Sequence, residues 1–124
     1  MRSSLLAFAV FIFIGLTVSI PASAHHNPKP MYESTSIMLT GTITEYEWAN
    51  PHSIISVAVM NDHGGVDEWH AEFLPPSELT RLGWAKDSLR RGDRVTMTGL
   101  PGKHSQHIIW LQSIVTPDGR KLTR

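Results

Sequence analysis

The chain has 124 residues, 41% of them hydrophobic and 18% charged, with eleven Lys/Arg set against eleven Asp/Glu. That balance excludes the clustered positive excess that nucleic-acid phosphates demand, and the absence of cysteine excludes both disulfide stapling and a lipidated cysteine anchor. A chain of this size suits one domain with one core, burying roughly two-thirds of its unfolded surface.

Residues 1–24 read as an export signal. Arg2 supplies the positive start, Leu5 to Ile20 the apolar stretch, and Ala22-Ser23-Ala24 a small-residue cleavage site. The apolar stretch of 16 residues falls short of the roughly 20 needed to span a bilayer. Gly15, Ser19 and Pro21 weaken it further as a span, so cleavage is expected rather than anchoring. The mature protein is then His25–Arg124, periplasmic, with no membrane span and ten Lys/Arg against eleven Asp/Glu.

His25 to Ser36 holds two prolines and no helical periodicity, and is expected to be an extended arm. Residues 37–124 form the folded domain. Ile37 to Trp48 is the first strand; Glu45 and Glu47 share the parity of Leu39 and Ile43, so a bulge near Ile43–Glu45 must swap its faces. Ala49-Asn50-Pro51 reverses the chain, because Pro51 fixes its own φ and pushes Asn50 out of the helical region. His52 follows at the mouth of this hairpin, and Ser53 to Met60 is the second strand.

The polar turn 61–65 leads to a third strand, Glu68 to Leu74, with Trp69, Ala71 and Phe73 facing in and Glu68, His70 and Glu72 facing out. Pro75-Pro76 stops it. A short helix over Ser77–Leu82 follows, with Ser77 as N-cap and Gly83 as its end. Arg94 to Leu100 and His107 to Thr116 are the fourth and fifth strands, and Pro117-Asp118-Gly119 turns into a short tail. Five short strands with one helix between the third and fourth predict an all-β fold, a small OB-like barrel.

Several segments together resemble a family of small exported bacterial proteins known only as a domain of unknown function. They are His25-His26, Leu39-Thr40-Gly41-Thr42-Ile43, Trp48-Ala49-Asn50-Pro51-His52, Trp69, Gly83-Trp84, Arg91-Gly92-Asp93 and Pro117-Asp118-Gly119-Arg120. Departures from that pattern are Asn27-Pro28, Tyr32-Glu33, and Arg91 in place of a turn proline. The resemblance implies an exported compartment and this fold, and it carries over no catalytic residue.

The chain has seven histidines. If cleavage follows Ala24, His25 bears both a free α-amine and an imidazole, able to chelate one ion together. With His26, and with His52 or His70 adding a third nitrogen, the set favours copper or a similar transition metal. Retention of Ala24 would instead make His26 the third residue of an amino-terminal chelate. His52 equally suits a turn-capping role, His70 a solvated strand face between Glu68 and Glu72, and His63, His104 and His107 turns and loops. A second reading is a non-catalytic interaction module, with Tyr46, Trp48, Asn50 and Trp84 (and Trp110 beside them) forming an aromatic rim for a partner protein, peptide or glycan. For catalysis there is no cysteine nucleophile and no Gly-x-Ser-x-Gly elbow.

Overall fold

A computed structural model describes residues 31–124. Its elements run β1 (Ile37–Glu47), β2 (Ser53–Met60), β3 (Val66–Phe73), α1 (Pro76–Arg81), β4 (Arg94–Pro101), β5 (Ile108–Val115) and β6 (Lys121–Thr123). The strands pair antiparallel in the order β3-β2-β1-β4-β5-β6, and a parallel β3–β5 pairing closes the first five into a barrel. This is the expected OB-like architecture with one strand added. The chain after Pro117-Asp118-Gly119 is not a simple tail: Ser113, Ile114 and Val115 pair with Thr123, Leu122 and Lys121. Among the described residues no helix is long and apolar enough to cross a membrane.

The bulge in β1 stands where the parity of its glutamates places it. Ile43 pairs with Val57 but Glu45 with Ser56, leaving Thr44 as the extra residue. Before it Gly41 and Ile43 point inward; after it Tyr46 does, and Glu45 and Glu47 face solvent. One inserted residue lets a single strand serve both halves of the barrel. Gly41 permits the tight crossing there, since a Cβ at that position would fall on the Ala58 carbonyl oxygen and within 2.6 Å of Val57 Cγ1.

The interior is hydrocarbon: Ile43, Ile55, Val57, Ala71, Phe73, Val95, Met97, Ile109, Leu111 and Ile114 are buried in one cluster. Each large aliphatic or aromatic side chain so buried contributes about 1.5–3 kcal/mol. Leu79 of α1, Trp84 and Leu89 join the same cluster. The helix begins one residue earlier than expected. Pro75 occupies the N-cap and Pro76 the first helical turn, with no side-chain cap, so Ser77 lies inside the helix. At the other end Gly83 adopts φ +87, its N–H donating to the Thr80 carbonyl and the Trp84 N–H to Leu79. That pair of bonds is a Schellman closure, and it turns Trp84 into the core.

Candidate functional site

The reversal at Ala49-Asn50-Pro51, with a cis Asn50–Pro51 peptide, delivers His52 to the outside of the barrel wall. Ser53, Ile55 and Val57 point inward from β2, so His52 shares the opposite parity with Ile54 and Ser56. On β3 the inward residues are Ala71 and Phe73, which puts Glu72 outward; it pairs with Ile54 on one side and Trp110 on the other. His52 Nδ1 lies 3.8 Å from Glu72 Oε2, and its ring meets Trp110 edge-on with centroids 5.1 Å apart.

The described part of the N-terminal arm closes over this place. The Glu33 N–H donates to the Pro101 carbonyl, the Lys103 N–H donates to the Met31 carbonyl, and Tyr32 bridges to Gly102. Tyr32 is thereby pressed against Trp110, at 5.9 Å between centroids, and its hydroxyl donates to Glu72 Oε2 at 3.1 Å. One carboxylate oxygen thus faces both the arm's tyrosine and the hairpin's histidine. Burial, then the Glu72 charge and the hydrogen bond to it, push the Tyr32 pKa up to about 12. From the far side Arg124 sets its guanidinium 5.2 Å over the Trp110 ring, and partial desolvation there lowers its pKa. Trp110 is only 4% exposed although it projects from the outer wall, and its indole N–H has no acceptor among the described residues.

Of the residues singled out for metal, His25 and His26 lie outside the described residues. His52 sits in the cluster. His70 projects from the same wall, two residues before Glu72, with Nδ1 3.0 Å from Ser56 Oγ. No group of three His, Cys, Asp or Glu side chains close enough to hold an ion occurs among the described residues. Of the aromatic rim, Trp84 is 2% exposed and donates its indole N–H to the Thr123 carbonyl at 2.9 Å, a core role. Tyr46 and Trp48 are half-buried, edge to face with each other, and Tyr46 stacks on Phe73. Asn50 is exposed in the turn.

A second cluster lies at the start of β3 and β5, where Trp69, on the inward face as expected, packs at the edge of the core. His107, with φ 59, places Nε2 3.5 Å from Asp67 Oδ2 and its ring 4.9 Å from Trp69. Its carbonyl accepts the His70 N–H at the seam that closes the barrel.

Sequence reasoning missed the roles of Tyr32, Glu72, Trp110 and Arg124. A signal existed for two of them. The period-two pattern that turns Ala71 and Ile109 inward turns Glu72 and Trp110 outward, and an outward tryptophan between apolar neighbours asks for a cover. Tyr32 gave no such signal, because its partner lies 40 positions away.

A family model described as a family of unknown function, DUF6152, matches residues 14–109, a span that takes in Tyr32, His52 and Glu72 and stops just short of Trp110. No curated protein matches the chain.

Proposed function

We propose a function for a chain that belongs to the family of unknown function DUF6152: it is an exported, periplasmic binding protein that holds copper, or a similar transition metal, against the outer wall of its barrel. The donors are the α-amine and imidazole of His25, with His26, completed by His52 and steadied by Glu72. The observation that carries this reading is the shared Glu72 oxygen, which meets Tyr32 on one side and His52 on the other. It ties the arm to the hairpin mouth.

Tyr32 lies six residues after His26, and an extended chain covers at most about 3.3–3.6 Å per residue. The leading histidines are therefore tethered within roughly 25 Å of Tyr32, close enough to reach His52. Glu72 also sets a carboxylate oxygen 3.8 Å from the His52 ring, too long for a hydrogen bond, on the same atom that accepts from Tyr32. Two donors alone do not hold an ion, which fits a site whose remaining ligands come from the arm. Carriage or buffering is the role, with no turnover. The interaction-module reading has lost its anchor, because Trp84 is buried in the core.

Calorimetry with Cu(II) on protein beginning at His25 tests this. Tight one-to-one binding is expected, weakened by His52→Ala and abolished by an added N-terminal Met. Equal affinity of the Met-extended chain would remove the α-amine as a ligand and end the reading.

A further inference from the structure

We infer that Tyr32 and Trp110 form a one-electron oxidation site, from which an electron leaves through the indole while the phenolic proton passes to Glu72. The reactant is an outer-sphere one-electron oxidant, and the product is a neutral tyrosyl radical at Tyr32. No bound ion is needed, so the inference goes beyond the copper reading and does not rest on it. The two readings meet at His52, whose ring lies edge-on to the same indole with centroids 5.1 Å apart. An oxidising equivalent arising at a metal held there has in Trp110 an outlet that spares the ligands.

The step balances within the cluster. The oxidant takes one electron from the Trp110 ring and leaves a radical cation. The indole N–H has no acceptor among the described residues, so the ring keeps its proton and with it the positive charge. The Arg124 guanidinium, which stays protonated, lies 5.2 Å over that ring and opposes the charge. Tyr32, with its ring centroid 5.9 Å away, returns an electron to Trp110. An oxidised phenol is a strong acid. Its O–H bond breaks, and the proton goes to Glu72 Oε2, which stands 3.1 Å from the hydroxyl and within the reach of a working base. The oxidant has then gained one electron, Tyr32 has given up one electron and one proton, Glu72 has become a carboxylic acid, and Trp110 is restored. Tyr32 is 5% and Trp110 4% exposed, which shields the radical from a second protein molecule.

The chain contains its own control. Tyr46 and Trp48 make another pair at nearly the same separation, 6.1 Å between centroids. There the phenol hydroxyl is buried and has no hydrogen-bond partner among the described residues. An electron lost from Tyr46 would leave a charged ring stacked on Phe73 with no base to take its proton, and a buried unpaired charge is costly. These are the only two tyrosines of the chain, so a proton acceptor separates the pair that traps an oxidation from the pair that does not.

The test is photo-oxidation of metal-free protein beginning at His25 by photogenerated ruthenium(III) tris-bipyridine, read by freeze-quench electron paramagnetic resonance. A tyrosyl radical is expected in the parent and in Tyr46→Phe. It should be lost in Tyr32→Phe, a conservative change outside the core, with a tryptophan radical cation in its place. Glu72→Gln keeps a hydrogen-bond acceptor but no base, and the tyrosyl yield should fall about tenfold or more. A tyrosyl radical that survives in Tyr32→Phe, or a yield that Glu72→Gln leaves unchanged, overturns the proposal. Because no metal is present, failure here leaves the copper reading standing, and failure of copper binding leaves this result standing.

Discussion

Two tryptophans of this barrel are almost equally buried, Trp84 at 2% and Trp110 at 4% exposure, and they are buried for different reasons. Trp84 enters the hydrocarbon interior on a Schellman turn, and its one polar atom is satisfied by the Thr123 carbonyl. Trp110 projects from the outer wall and is covered by a tyrosine from the arm, a histidine from the first reversal and an arginine from the chain after β6. The first environment is what a sheet of alternating pattern makes by itself. The second brings together three distant segments, is polar, and leaves an indole N–H without an acceptor among the described residues. Stability resides in the first region, and the chemistry available for binding gathers in the second.

The contrast implies a ranking of effects. Phe73→Ala, which empties the fully buried centre of the interior, should cost about 3–5 kcal/mol in urea unfolding. Gly41→Ala should cost about 1–3 kcal/mol, because its new Cβ meets the Ala58 backbone, which cannot turn aside. Tyr32→Phe removes one part-buried hydrogen bond to a carboxylate outside the core and should cost about 1.5 kcal/mol. Its larger effect is local: limited proteolysis should cut the arm around residues 31–34 faster while the barrel stays intact. A Tyr32→Phe loss as large as that of Phe73→Ala would erase the distinction between the two regions.

The last effect is a dependence on pH. Tyr32 is raised from 10.0 to about 12, so the folded state holds its phenolic proton more tightly than the unfolded chain does. Its contribution is complete below pH 10 and is lost as the pH rises to about 12. Tyr46 is raised by burial as well, and the chain has only these two tyrosines. Spectrophotometric titration should therefore find no tyrosine ionising near pH 10 in the folded protein, and the first step to appear should vanish in Tyr32→Phe. A normal phenol titration at pH 10 would mean that the arm is not seated.

Most of the barrel was legible because its signals are local. Glu45 and Glu47 on the wrong parity located the bulge within three residues, and Pro75-Pro76 with Gly83 bracketed the helix. Ser77 misled because a serine before an apolar run looks like a cap, whereas Pro76, which needs no N–H partner in the first turn, starts the helix earlier. The last strand was missed because Lys121–Thr123 is too short to show alternation and is fixed only by pairing with β5. The candidate site was legible in part. His52 could be placed at the hairpin mouth from Pro51 alone. Its meeting with Glu72, Trp110 and Tyr32 depends on barrel closure through β3–β5, and no local pattern encodes that pairing.

The central claim is that the arm's leading nitrogens and the hairpin's imidazole converge on one ion. Electron paramagnetic resonance of Cu(II) bound to protein beginning at His25 addresses it most directly. Nitrogen couplings from an amine and imidazoles are expected, with one imidazole coupling lost in His52→Ala and none in His70→Ala. A spectrum that His52→Ala leaves unchanged would contradict the account.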